Sequence, residues 1–214
     1  MTCRILITGG FGYIGGRVAQ VLAALPDTHV VLGSRLPQMQ PAWLPTATVM
    51  ATTWHDADRL RQACSGVDTV LHLAAMNEIE AARDPVGALE MNGVSTVRLL
   101  EAAKAEKVRH FIYLSTAHVY GTPLIGRIDE VTCPRPSHPY ATSHRAAEDV
   151  VLAAHDSEAL TGLVLRLSNS FGAPAHPMVN RWTLLVNDLC RQAVMTGQLS
   201  LRSAGLQQRD FITL

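Results

Sequence analysis

Short runs that are apolar throughout alternate along this chain with longer stretches whose apolar positions recur every three or four residues. The runs are CRILIT (3–8), HVVLG (29–33), ATVMAT (47–52), DTVLHLA (68–74), HFIYLS (110–115) and GLVLRLS (162–168). Continuous apolar runs predict strands buried on both faces, where period-two alternation would predict one wet face. Helical periodicity falls near 14–25, 57–65, 85–106, 139–155 and 179–197. Strands that alternate with helices predict right-handed crossovers and a doubly wound parallel sheet, a Rossmann-like α/β fold. Prolines 37, 41 and 45 mark 34–46 as an irregular connection, and a second proline-rich stretch, 122–139, precedes the fourth helix.

Composition narrows the partners. The 214 residues are 48% hydrophobic, which suits a folded domain, and 18 basic residues balance 18 acidic ones. A net charge of zero argues against a broad electrostatic footprint for nucleic acid or an anionic membrane, so any bound anion must be gripped locally. Cys3, Cys64, Cys133 and Cys190 are far apart and form no CxxC, so neither a metal site nor a disulfide framework is expected. The first residues carry no basic region followed by a long apolar run, and no segment reaches the roughly 18 apolar residues of a membrane helix. These features predict a cytoplasmic protein.

The first chemical signal follows the first strand: Thr8-Gly9-Gly10-Phe11-Gly12-Tyr13-Ile14-Gly15 opens a helix. Glycines at 9, 12 and 15 meet three needs: a tight turn, close approach to a pyrophosphate, and close packing of helix on sheet. The helix N-terminus offers free N–H groups and a positive dipole end to the phosphates. With strand, turn and helix in order, the segment predicts a dinucleotide site that includes Tyr13 and Ile14. The plain alternative is a tight turn without a ligand.

Further motifs follow in a fixed order: HLAA (72–75), STAHVYG (115–121), PYATSH (139–144), LRLSNSFGAP (165–174) and QQRDFI (207–212). Together with TGGFGYIG, they resemble the extended short-chain dehydrogenase/reductases, and within them the nucleotide-sugar epimerase/dehydratase family, over the whole chain. The resemblance implies a dinucleotide-binding domain over 1–160 and, over 161–214, the last sheet strand with part of a substrate-binding region. Family members continue further beyond the RDF motif, so a truncated product is expected. It also implies a homodimer built on the helices near 85–106 and 139–155.

The same resemblance assigns roles. Ala74 would line the adenine-ribose side, and His72 is expected to be a satisfied strand residue. Tyr140 would be the base that takes a proton from a sugar hydroxyl, with Thr116 hydrogen-bonded to the reacting oxygen. A tyrosine of ordinary pKa near 10 must be helped by positive charge to act near pH 7. The alternative is a buried tyrosine at a helix start. The family writes Tyr-x-x-x-Lys, whereas His144 stands here on the same helical face. Charged, His144 would support the tyrosine and bind the nicotinamide ribose, and an adjacent phenolate would raise its pKa. Arg145 lies about 100° round the helix and is no obvious substitute. In the family's 4,6-dehydratases, Asp and Glu follow the threonine. Ala117 and His118 stand there instead, so dehydration by that route is disfavoured.

Asn169 resembles the residue that contacts the sugar nucleotide, Arg209 the diphosphate clamp, and Asn92 a backbone tie beside the site. Each of the first two is alternatively structural. For the cofactor, the second strand ends at Gly33 where an acid would bind a free ribose 2′-OH, and Arg35 is able to pair with a 2′-phosphate. This favours NADP over NAD; the alternative is a solvated loop arginine. Thr53 aligns with an aspartate that in the family faces adenine. The expected function is a nucleotide-sugar 4-epimerase working through a transient 4-keto sugar. The alternatives are an NADP-dependent ketoreductase and a dinucleotide-binding sensor without turnover.

Overall fold

A computed structural model describes residues 2–36 and 39–214. Pro37 and Gln38, inside the predicted irregular connection, lie outside the described residues. The chain runs β1 (Cys3–Thr8), α1 (Tyr13–Ala23), β2 (Thr28–Ser34), β3 (Thr48–Ala51), α2 (Ala57–Cys64) and β4 (Thr69–His72). Then come α3 (Glu78–Arg83), α4 (Pro85–Ala88), a π-helical segment (Leu89–Val94), α5 (Ser95–Ala105) and β5 (His110–Thr116). A 3-10 turn (Ala117–Tyr120), α6 (Pro139–Asp156), β6 (Thr161–Leu167), β7 (Asn169–Phe171), α7 (Leu185–Thr196) and β8 (Phe211–Thr213) complete it.

The six predicted strands form one sheet, all parallel, in the order β3-β2-β1-β4-β5-β6. The strand order reverses between β1 and β4, and open sheets of this kind bind ligands beyond the carboxyl ends at that point. Alternate residues of the central strands feed two cores. Leu6, Val31, Val70 and Phe111 pack with α2, α5 and α6 on one face, while Ile7, Val30 and Leu32 pack with Ala19 of α1 on the other.

Four details depart from the sequence pattern. β6 lies at the edge of the sheet, and Leu163 and Leu165 on one of its faces are 47% and 43% exposed, so burial on both faces fails there. The helix near 85–106 is not uniform. Ser95 and Thr96 hydroxyls donate back to the Glu90 and Asn92 carbonyls, and the backbone widens into the π segment. The last helix starts at Leu185 rather than 179, because Asn180 accepts the Trp182 N–H with its side chain and turns the chain. Finally, α3 and the small parallel pair β7–β8 have no counterpart in the predicted elements. Among the described residues, no helix is long and apolar enough to cross a membrane.

Candidate active site

The glycine turn is tight for steric reasons. Gly9 has φ +72°, and a Cβ there would lie 2.8 Å from the Ala74 amide nitrogen and 2.9 Å from the Leu73 carbonyl carbon. A Cβ on Gly15 would run into the Gly9 carbonyl and come within 2.9 Å of Gly10 Cα. Gly12 N–H donates to Gly9 O at 2.8 Å, and Gly12 caps α1 without any side-chain hydrogen bond. The first amides of α1 are therefore left open to the space above the sheet. Tyr13 is committed elsewhere: its hydroxyl donates to Gly172 O at 2.9 Å and accepts from Asn187 Nδ2 at 2.9 Å.

That space is a cleft of about 920 Å³, and every residue predicted as a site residue lines it. At one end, Gly33 backs onto Thr52: a Cβ on the glycine would stand 2.8 Å from Thr52 Cγ2. Arg35 is exposed at the cleft mouth. Thr53, expected at an acid's position facing adenine, is exposed, while its neighbours Thr52 and Trp54 line the cleft. Trp54 is buried against His72, and its indole N–H has no partner among the described residues.

At the other end stand Thr116, the last residue of β5, and Tyr140, in the first turn of α6. Burial and the Glu78 carboxylate push the Tyr140 phenol up to about 12, against the pull of the Thr116 hydroxyl and Arg181. Glu78 and Arg181 also line the cleft and approach each other at 4.0 Å. No motif in the sequence singles out either residue.

His144 corrects the sequence-based expectation of a charged imidazole. It lies edge-on to Tyr140 with ring centroids 4.5 Å apart, yet it is buried, and burial drives its pKa down to about 4. Desolvation outweighs any attraction to a phenolate, which the raised Tyr140 does not form near neutrality. Its Nδ1 is bonded to Tyr113 Oη at 2.6 Å, and its Nε2 finds no partner among the described residues. Arg145 cannot replace it, being paired with Glu148 and Asp149.

Two buried networks hold these groups. Glu148, fully buried one turn after His144, accepts from Ser115 Oγ at 2.5 Å and takes both prongs of Arg166 at 3.0 and 2.8 Å. This pins α6 to β5 and β6. On the other side, Asn92 accepts the Met76 N–H at 2.7 Å and donates to Ser143 Oγ at 2.9 Å, joining the HLAA segment to the Tyr140 helix. Thr96 spends its proton on Asn92 O, so His72 Nε2–H donates to Thr96 and Thr8 Oγ1–H donates to His72 Nδ1. His72 is thus a neutral, satisfied strand residue, with its pKa pushed down to about 3 by burial.

Asn169 and Arg209 reach the cleft from the small sheet. Asn169 Nδ2 donates to Asp210 O at 3.0 Å, while Arg209 is exposed and donates to Gln207. Among the described residues, no cluster of three or more His, Cys, Asp or Glu is placed to hold a metal.

A parallel doubly wound sheet with a glycine turn opening its first helix defines a Rossmann-like α/β protein. Residues 5–213 match the model of the NAD-dependent epimerase/dehydratase family, and the chain belongs to that family. It is 31% identical over 192 residues to a UDP-glucose 4-epimerase of Streptomyces lividans, covering 88% of this chain and 56% of that one. It is 32% identical over 176 residues to a GDP-6-deoxy-D-mannose reductase of Pseudomonas aeruginosa, covering 80% and 54%. A solved UDP-glucuronic acid 4-epimerase of Bacillus cereus, in complex with UDP-glucuronic acid and NAD, superposes with a TM-score of 0.80. It is 27% identical, covering 98% of this chain and 69% of that one. The chain thus spans little more than half the length of these curated relatives.

Proposed function

We propose that the protein is an NAD(P)-dependent enzyme of the extended short-chain dehydrogenase/reductase type that epimerises a nucleoside-diphosphate sugar at C4. The observation that carries this reading is the convergence of the glycine turn, Thr116 and Tyr140 on one cleft at the carboxyl end of the sheet. The cleft fits a dinucleotide. Gly9, Gly12 and Gly15 keep the turn bare of Cβ atoms, the amides of α1 are uncapped, and His144 Nε2 is an orphaned donor or acceptor in the wall. When bound, the nicotinamide supplies the acceptor and donor of hydride.

This chain's residues do the rest. The glycine turn and α1 amides hold the pyrophosphate, and Arg35 pairs with a ribose 2′-phosphate, favouring NADP. Ala74 lines the adenine-ribose side. Thr116 hydrogen-bonds the C4 oxygen, and the ionised fraction of Tyr140, which grows as pH rises, takes its proton on Oη as the ketone forms and returns it after the sugar has presented its other face. Asn169 and Arg209 hold the sugar nucleotide from the small sheet. Ala117 cannot exchange a proton, which leaves the dehydratase route without its acid.

Residues 1–160 form the cofactor domain in this reading, and 161–214 begin the substrate side. A second copy packs on the helices of 85–105 and 139–156, where Val86, Leu89 and Val97 are exposed. The four free cysteines suit a reducing cytoplasm. A reductase is the second reading, favoured by Arg35 and by the likeness to the mannose reductase.

The test incubates the protein with UDP- and dTDP-hexoses and either cofactor, following products by proton NMR. A 4-epimer formed without net cofactor consumption supports the proposal. Stoichiometric NADPH oxidation selects the reductase. Cofactor binding with no turnover, unchanged by Tyr140→Phe, selects a sensor.

A further inference from the structure

We infer that Tyr113 is a positioning residue that holds His144 as the neutral tautomer with its proton on Nε2. The family's lysine site thus presents an oriented neutral donor to the cofactor ribose rather than a cation. The inference rests on the reading of the cleft as a dinucleotide site.

Tyr113 lies on β5, almost fully buried, and its hydroxyl has no partner but His144 Nδ1 among the described residues, at 2.6 Å. A phenol has one proton to give and His144 Nδ1 is either an acceptor or a donor, so two arrangements are open. If Nδ1 carried the proton and donated, the Tyr113 O–H would be left buried with no acceptor, and His144 Nε2 would be a bare lone pair. Two buried polar groups would then go unmet, each at a substantial cost. If Tyr113 donates, its proton is used, Nδ1 is satisfied, and only Nε2–H remains, in a side chain that lines the cleft. The second arrangement leaves a single orphan, and a ribose hydroxyl oxygen is the acceptor it lacks.

The surroundings agree. The groups facing the pair are His72 from β4, itself fixed neutral, and Tyr140 and Glu148 from α6. Burial raises the Tyr113 phenol well above its ordinary value, so it remains a proton donor rather than a phenolate that could stabilise an imidazolium. A lysine at 144 would need no such partner, because an ammonium has three protons and no tautomer. Tyr113 is therefore the companion that a histidine requires at this position.

The experiment labels histidine with 15N and records imidazole shifts of the protein alone, then titrates NADH and NADPH by tryptophan fluorescence. Expected is a neutral His144 with the Nε2–H signature from pH 5.5 to 8, a mixed-tautomer signature in Tyr113→Phe, and cofactor affinity about tenfold lower in that variant. This is the size of one neutral hydrogen bond. In a His144→Lys background, Tyr113→Phe should change affinity less than twofold, which a merely structural role for Tyr113 would not give. A protonated or Nδ1–H His144 in the wild type overturns the inference even if Tyr113→Phe does not fold. So does an unchanged tautomer in a folded variant. Failure of the wild type to bind either cofactor would overturn the reading of the cleft and not the pairing, which the imidazole shifts decide alone.

Discussion

Tyr13 and Asn187 stand 174 residues apart and share a 2.9 Å hydrogen bond. The tyrosine belongs to the turn that opens α1, the asparagine to α7, and the same phenol donates to Gly172 O. One hydroxyl thus ties the glycine turn to the segment that carries the small sheet. Tyr13→Phe leaves the Gly172 carbonyl without this donor and Asn187 Nδ2 with only its bond to Arg181 O, and should cost about 1–3 kcal/mol in urea unfolding. Partial digestion should first attack 172–187. Unchanged stability would show that the Tyr13 hydroxyl is not what ties the two segments.

Cofactor choice should follow Arg35. With no acid at Gly33 to repel it, a 2′-phosphate gains a charge-assisted pair, and NADP should bind about 10- to 100-fold more tightly than NAD. Arg35→Ala should bring the two affinities together, as measured by fluorescence titration. An NAD preference that survives the substitution would refute the assignment.

Gly15→Ala should be far more damaging than its single methyl suggests. The Cβ would meet the Gly9 carbonyl, and backbone on both sides of the turn must shift. Overpacking of this kind costs about 1–3 kcal/mol, and the displaced turn should also abolish detectable dinucleotide binding. Calorimetry and titration on the same sample check both.

Two buried histidines set the acid limit of stability. His72 and His144 titrate at about 3 and about 4 in the folded chain, both lowered by burial, against about 6.5 unfolded. Their neutral-state stability is complete above pH 6.5 and is lost as pH falls toward 4, because the unfolded chain binds the protons first. By pH 5, each should have cost about 2 kcal/mol relative to pH 7. Urea midpoints across that window report it. His72→Gln should flatten the slope by about one proton if the variant folds.

Catalysis should respond to pH at the opposite end. With Tyr140 raised to about 12 and His144 neutral above about 4, the turnover of the proposed enzyme should climb with pH and show no loss on the alkaline side from histidine deprotonation. His144→Lys should move the rising limb to lower pH by placing a positive charge beside the phenol, whose ring centroid lies 4.5 Å from that of His144. A bell centred near pH 6.5 in the wild type would contradict the buried, neutral imidazole.

The sheet was legible because its strands are apolar throughout, and the turn because three glycines follow a strand. The glycine turn, Thr116 and Tyr140 were legible because each lies at a strand's carboxyl end or opens a helix, whereas no motif marks Glu78 or Arg181. α3 had a readable signal in Asn77 and Glu80, which form a capping box at the helix start. β7 and β8 had none, since three-residue strands that pair across some forty positions leave no periodicity. The neutrality of His144 was hidden because a side chain's solvation depends on what the fold packs over it. Its partner Tyr113 comes from another element, 31 residues earlier. Glu148 was hidden likewise: on the sequence it is one more helical acid, and only the fold brings Arg166 and Ser115 to it.

The contact behind Gly33 imposes an order on change. A carboxylate cannot be added there alone, because the new Cβ would stand 2.8 Å from Thr52 Cγ2. Thr52→Ser removes that methyl first and opens room for Gly33→Asp. Taken in reverse, the path crosses an intermediate overpacked by about 1–3 kcal/mol. A lineage that settles on glycine and on buried Thr52 returns to an acid at 33 most readily by that sequence of steps. Laboratory selection for the other cofactor should therefore recover substitutions at Thr52 before any at Gly33.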